Sequence, residues 1–304
     1  AAASLLPMRD DVRLTSGRVQ FTASQQSLGG TQLGSRIQLT FSDMQAVSGD
    51  QQISWNEPLS VDLLAGRHPS GPRFELGANA EFCDLRGAGN FENGQLTGNV
   101  SLDLLHRRLS QFMDLPVSNM TGSAKVDLQW NMDSQQLVAA NGTLQMTSIV
   151  IDTTSGVQMR EPAWDGKFTA TAQIIEGIPQ SLNRMHLELI SADEKLVADL
   201  HEPITLAAEV DSQTLPPAAF NVSIAGDLAN WKRRGWVWLS QPPEIDIHGQ
   251  IQLAVSGRLD TSHVEVLQAN WDSRPVRVRA ADFSMAEPQV IGNFKGRIDT
   301  ADLT

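Results

Sequence analysis

The residues of this chain that could do chemistry are six histidines, one cysteine and a broad scatter of carboxylates. His68, His106, His186, His201, His248 and His263 each stand alone. A zinc site needs ligands gathered at short spacing, and nucleophilic catalysis needs a base beside its nucleophile. No Gly-x-Ser-x-Gly elbow, His-Glu-x-x-His helix, Walker loop or EF-hand loop occurs. Gly87-Ala88-Gly89 lacks the third glycine and the following helix of a dinucleotide site, so it reads as a strand bend. Cys83 has no neighbouring His or basic residue to lower its pKa, and as the single cysteine it excludes an intrachain disulfide. Asp103, Asp127, Glu188, Glu209, Asp246 and Glu265 fall in water-facing positions, where solvation accounts for them. A glycosidase pair assembled from distant strands, with carboxyl groups about 5 to 10 Å apart, stays open as a minor reading. The expectation is a chain that is not an enzyme, with no metal and no cofactor.

The remaining candidates are aromatic and cationic. Lys232, Arg233, Arg234 and Trp236 form one cationic, aromatic cluster in an otherwise acidic chain. Such a cluster suits a phospholipid headgroup layer, and equally a surface cation–π patch. Trp130, Trp231 and Trp238 fit apolar stripes, which favours packing over a ligand role.

These residues must be positioned by elements, and the dominant element is a strand. Apolar and polar residues alternate with period two along nearly the whole chain, as in Ile37–Leu39–Phe41, Ala124–Val126–Leu128–Trp130, Phe168–Ala170–Ala172–Ile174, Phe220–Val222–Ile224 and Ile251–Leu253–Val255. Strands buried on both faces read as unbroken apolar runs, so this pattern predicts an antiparallel sheet with one wet side. Turn signals at Gly29-Gly30, Ser48-Gly49-Asp50, Asn93-Gly94, Asn141-Gly142 and Asp165-Gly166 predict hairpins between sequence neighbours. Glu-Pro pairs at Glu57, Glu161 and Glu202 read as strand starts. With 23 basic against 35 acidic residues, a net charge of −12, the chain lacks the footprint of a nucleic-acid binder. No apolar run approaches the roughly 18 residues that would span a bilayer as a helix.

Only two segments carry a helical stripe: Leu102, Leu105, Leu109 and Phe112, and then Leu228, Trp231, Gly235 and Trp238. The second lies at one constant offset from the first, and Arg233-Arg234 follow Arg107-Arg108 at that same offset. After one inserted residue, Pro243, Gly122 matches Gly249, Val126 matches Leu253 and Leu128 matches Val255. The reading is an internal repeat of strands, one short amphipathic helix, a Pro turn and more strands, with candidate units at about 17–141 and 142–270 within one continuous module.

Between Asn93 and Val150 these residues resemble a known family. Asn93-Gly94-Gln95-Leu96-Thr97-Gly98 leads into Val100-Ser101-Leu102-Asp103-Leu104-Leu105, then a short helix, Leu115-Pro116, Met120-Thr121-Gly122-Ser123-Ala124-Lys125-Val126-Asp127-Leu128 and Asn141-Gly142-Thr143-Leu144. This grammar is similar to that of the AsmA-like superfamily, which includes AsmA and TamB and is related to bridge-like lipid-transfer proteins. The resemblance implies a mainly β fold, a long antiparallel sheet curved into an elongated groove or open tube with an apolar interior. It implies phospholipid acyl chains as partners, a periplasmic location, a role in phospholipid transport or outer-membrane assembly, and contact with envelope membranes through parts outside this segment, including an inner-membrane anchor. It carries no catalytic residue.

Exposing a lipid chain to water costs about 0.8 kcal/mol per methylene, so a carrier needs a continuous apolar path. On this reading the path is lined by Val100, Ala124, Val126, Leu128, Trp130, Phe168, Ile174, Val222, Ile224, Ile251, Leu253 and Val255. The same alternation fits a structural or adhesive β-protein whose apolar face is covered by a second sheet.

Overall fold

The computed structural model describes residues 11–29, 32–68, 71–90, 92–113, 115, 117–133, 136–154, 156–175, 178–205, 217–236, 245–259 and 263–299. The chain is mainly β. Its strands are β1 (Val12–Gly29), β2 (Gln32–Ser48), β3 (Gln51–Trp55), β4 (Leu59–His68), β5 (Gly71–Ala80), β6 (Cys83–Gly89), β7 (Asn93–Ser101), β8 (Val117–Met132), β9 (Leu137–Thr153), β10 (Gln158–Ile175), β11 (Ile178–Ser191), β12 (Glu194–Leu200), β13 (Ile204–Thr205), β14 (Ala218–Asp227), β15 (Asp246–Leu259), β16 (His263–Ala280), β17 (Phe283–Glu287) and β18 (Val290–Asp299). Helix α1 (Leu102–Leu109) joins β7 to β8, and α2 (Leu228–Trp236) joins β14 to β15. All 18 strands belong to one antiparallel sheet, which is not closed on itself.

Two compact units are present, Ala1–Gln129 with Met146–Thr154, and Trp130–Gln145 with Ser155–Thr304. In the first, β2 pairs with β1, β3 and β4, and the ladder continues β4–β5–β6–β7. In the second, β10 pairs with β11, β11 with β12 and β13, the ladder runs β12–β14–β15–β16, and β16 pairs with β17 and β18. Most ladders join sequence neighbours, while β2–β4, β11–β13, β12–β14 and β16–β18 each skip one strand.

Register turns the alternation into rows. In the first unit Phe21, Leu39, Val61, Ala78, Leu85 and Gly98 lie directly opposite one another, strand to strand. One residue along, the row reads Gln20, Thr40, Ser60, Asn79, Asp84 and Asn99. In the second unit Phe168, Leu187, Ala198, Val222, Val255, Ala269 and Phe294 form a dry row beside a wet one of Thr169, His186, Asp199, Asn221, Ser256 and Gln268. Each unit thus has one dry and one wet face.

Two of the expected hairpin tips are not turns. Asn141-Gly142 lies inside β9 and Asp165-Gly166 inside β10. At Gly166 the absent side chain admits its neighbours: an added Cβ would lie 2.8 Å from Leu189 Cδ2 and 3.2 Å from Leu144 Cβ. The β8–β9 turn is made instead at Asp133, whose carboxylate accepts the Leu137 N–H at 3.0 Å. Gly122 and Gly249, which the sequence offset pairs, are alike in local geometry. Each follows its helix, has φ of +117° or +141°, and sits against the backbone of the next strand, near Thr147 O and Pro275 O. At Gly249 the ladder to β16 shifts register, a bulge that re-aims the strand after its connection.

The wet face carries cross-strand ion pairs. Arg36 Nε donates to Asp62 Oδ1 at 3.0 Å and Gln38 Nε2 donates to Asp62 Oδ2 at 2.7 Å. The Arg36 hydrogen bond holds the Asp62 carboxyl below its usual range, burial opposes it, and Gln38 assists. Glu188, bonded by Lys195, and Asp272, bonded by Arg274 and Gln289, are lowered likewise. A depressed folded-state pKa gives stability that is present above the unfolded value, 3.8 for Asp62, and lost as pH falls through the folded value. Chemical denaturation as a function of pH should show stability declining below about pH 4. Asp62→Asn should lower stability at pH 7 and flatten that decline.

Candidate functional site

The dry face is the candidate site. Among the described residues no large side chain is fully buried, and the dry register is left open to solvent at several points. Val19, Phe21, Ile37, Met185 and Phe294 all lie on it and are 62%, 65%, 40%, 40% and 46% exposed. The inner face of a β-sandwich would bury such side chains against a second sheet.

The structure places the residues expected to line an acyl path at the following positions of their strands. Phe168, Val222 and Val255 share one row, Ile224 and Leu253 the next, and Ile251 the one after, beside Gly226 and Ser273. Ala124, Val126, Leu128 and Trp130 are half-buried on alternate positions of β8, while Lys125 and Gln129 between them are exposed. Val126 approaches Gly98, its Cγ1 3.3 Å from where a Cβ would stand. Val100 lies opposite Cys83. Ile174 keeps the alternation of Phe168, Ala170 and Ala172 along β10 and lies opposite Pro179, the register shifts after Thr171 and Gln173 placing their extra residues in β11.

Each helix is seated by an arginine held between two carboxylates. In the second unit Arg234 Nε donates to Glu161 Oε1 at 2.8 Å and its Nη2 to Glu161 Oε2 at 2.7 Å; Nη2 also bonds Glu194 Oε2. Asn230 Nδ2 donates to the other Glu194 oxygen at 2.7 Å. The Arg234 guanidinium lies 4.6 Å from the ring centres of both Trp164 and Trp231. Side-chain exposure is 11% for Arg234, 7% for Glu161 and 8% for Glu194. Burial works against the Arg234 charge, but the hydrogen bonds to Glu161 and Glu194 outweigh it and raise its pKa. Asp227 caps α2, its Oδ1 accepting the N–H groups of Ala229 at 2.8 Å and Asn230 at 3.1 Å. Trp164, Ser191, Glu194 and Gly226, at the α2 end of the dry face, are all buried.

In the first unit Arg108 Nη2 reaches Glu57 Oε2 at 2.7 Å, its Nε reaches Glu81 Oε2 at 2.7 Å, and its guanidinium lies 6.0 Å from the Trp55 ring centre. Arg107 adds a bond to Glu81 Oε1 at 2.8 Å. The Glu-Pro pairs predict only strand starts at Glu57 and Glu161, yet Glu161 lies within β10 and both carboxylates anchor a helix arginine. The available signal was an arginine three residues beyond a stripe position, Leu105 or Trp231, where a charge facing the sheet needs a carboxylate.

This geometry divides the expected headgroup cluster. Arg234 is turned into the fold, Lys232 Nζ donates to Ile245 O at 2.9 Å, and Arg233 is exposed with Nη2 on Asn230 Oδ1 at 2.8 Å. The Trp236 side chain and Trp238, Glu209, Pro116, Gln241, Pro242 and Pro243 lie outside the described residues.

The groups able to do chemistry are dispersed. His186 Nδ1 pairs with Asp199 across the wet face at 2.7 Å, His248 with Asp246 at 3.0 Å, and His106 with Val117 O at 3.1 Å. Asp103 lies in the first turn of α1, not on a strand. Burial pushes the Cys83 thiol pKa up, with Asp84 adding and an Ala80 backbone bond opposing. A concavity of about 530 Å³ in the second unit includes Lys195, Gln252, Asn270 and Asp272 in its lining. Its ionised groups are engaged, Lys195 with Glu188 and Asp272 with Arg274. Among the described residues no group of three or more His, Cys, Asp or Glu could hold a metal, and no helix is long and apolar enough to cross a membrane. Comparison with protein-family models, curated proteins and solved structures returns no match.

Proposed function

We propose that this chain holds lipid acyl chains on the dry face of its sheet, as a non-enzymatic lipid-binding or lipid-transfer module of the bacterial cell envelope. The observation that carries the reading is the solvent exposure of Val19, Phe21, Ile37, Met185 and Phe294 on a register that is apolar strand after strand. In a folded protein that much aligned apolar surface calls for a partner. Adjacent strands stand about 4.8 Å apart, so the seven residues from Phe168 to Phe294 make a path of about 29 Å. Burying a polymethylene chain along it recovers about 0.8 kcal/mol per methylene. The resemblance to AsmA-like proteins agrees with this reading and supplies its cellular setting, the periplasm and phospholipid supply to the outer membrane. A structural or adhesive protein needs the same face covered.

Trp271 lies on the dry register opposite Leu253 and gives a direct test. A phosphatidylcholine brominated on its acyl chain should quench the intrinsic fluorescence, the unbrominated lipid should not, and Trp271→Phe should remove a measurable part of the effect. Equal fluorescence with both lipids would count against the proposal.

A further inference from the structure

Resting on the lipid-holding reading, we propose that glycines of the dry register level the acyl path and so select slim, unbranched chains. In five pairs among the described residues a large apolar side chain reaches over the glycine directly opposite it on the neighbouring strand. The pairs are Leu85–Gly98, Leu96–Gly87, Leu189–Gly166, Phe220–Gly257 and Trp271–Gly292. In each, the large side chain lies down over the glycine. A Cβ at Gly292 would stand 2.0 Å from Trp271 Cζ2, one at Gly98 2.1 Å from Leu85 Cδ2, and one at Gly257 2.8 Å from Phe220 Cζ. None of these five glycines has a positive φ, so backbone conformation does not require them. What they provide is space.

Folding a leucine or an indole flat across the next strand removes a knob from the face and fills the notch that the glycine leaves. The floor becomes level in both units. A straight polymethylene chain touches a level floor along its whole length, whereas methyl branches hold a chain away and forfeit dispersion contacts. The class of ligand that follows is the unbranched diacyl phospholipid. Trp271 and Gly292 act as positioning residues that set the depth of the path.

The experiment is competition between dipalmitoyl and diphytanoyl phosphatidylcholine for the purified chain, read by native mass spectrometry. These lipids share a headgroup and differ in methyl branching. The wild type should favour the straight chains at least fivefold. Trp271→Ala opens a ring-sized notch without introducing a clash, and should bring the two lipids within twofold. Gly292→Ala drives the indole up into the path and should lower uptake of both at least fivefold, with Gly292→Ala/Trp271→Ala restoring it. An unchanged preference in Trp271→Ala, or undiminished uptake by a folded Gly292→Ala chain, overturns the proposal. If Gly292→Ala fails to fold, the Trp271→Ala comparison decides alone. A wild-type chain that takes up neither lipid overturns the lipid-holding reading itself.

Discussion

Arg234→Met should lower the stability of the second unit by about 3–5 kcal/mol, the cost of leaving buried carboxylates without their cation. Glu161 and Glu194 are under a tenth exposed, and Arg234 is the cation that bonds both. Methionine keeps most of the stem that packs against Trp164 and Trp231, so the loss isolates the charge. Adding Glu161→Gln and Glu194→Gln to Arg234→Met should recover most of it, since no uncompensated charge then remains. Arg108→Met should cost less, about 1–2 kcal/mol, because its partner Glu57 is half exposed and screened. Urea denaturation of the wild type and these three variants measures all of this. Arg234 has a raised pKa, so its contribution is fully present below the ordinary arginine value and constant across the neutral range.

Val126→Asp combined with Leu253→Asp should abolish lipid retention, a loss of at least tenfold, while the chain stays folded. The sequence offset pairs these two residues, and both are half-buried on the dry face. Placing a carboxylate in an open apolar path makes each methylene that contacts it share the cost of desolvating a charge. On an uncovered face the carboxylate stays hydrated in the lipid-free protein, and the stability loss is the poor strand propensity of Asp, about 1 kcal/mol per site. In a covered core each substitution would instead cost several kcal/mol. Paired measurements of denaturation and retained lipid therefore separate an open face from a packed one.

Much of the architecture was legible because alternation depends only on neighbours in sequence. Ile37 to Phe41 and Ala124 to Trp130 are strands for the reason their patterns state, and the stripes beginning at Leu102 and Leu228 are helices. What stayed hidden depends on register and long-range partners. Gly166 and Gly142 look like turn residues until Gly166 is found beneath Leu189 and both are found inside strands. Glu161 meets Arg234 only when β10, the β11–β12 hairpin and α2 converge, which no local spacing encodes. The Trp271–Gly292 pair is likewise invisible without the β16–β18 ladder, and the register shifts that place extra residues in β11 leave no mark in the alternation of β10.

The central claim is that the apolar side of this sheet is occupied by acyl chains in the protein's working state. Gentle purification of the wild-type chain from a two-membrane bacterium, followed by native mass spectrometry and identification of the released mass, tests it most directly. The account predicts co-purifying phospholipid that is lost in the folded Val126→Asp/Leu253→Asp chain; a lipid-free wild type, or equal retention by the folded variant, contradicts it.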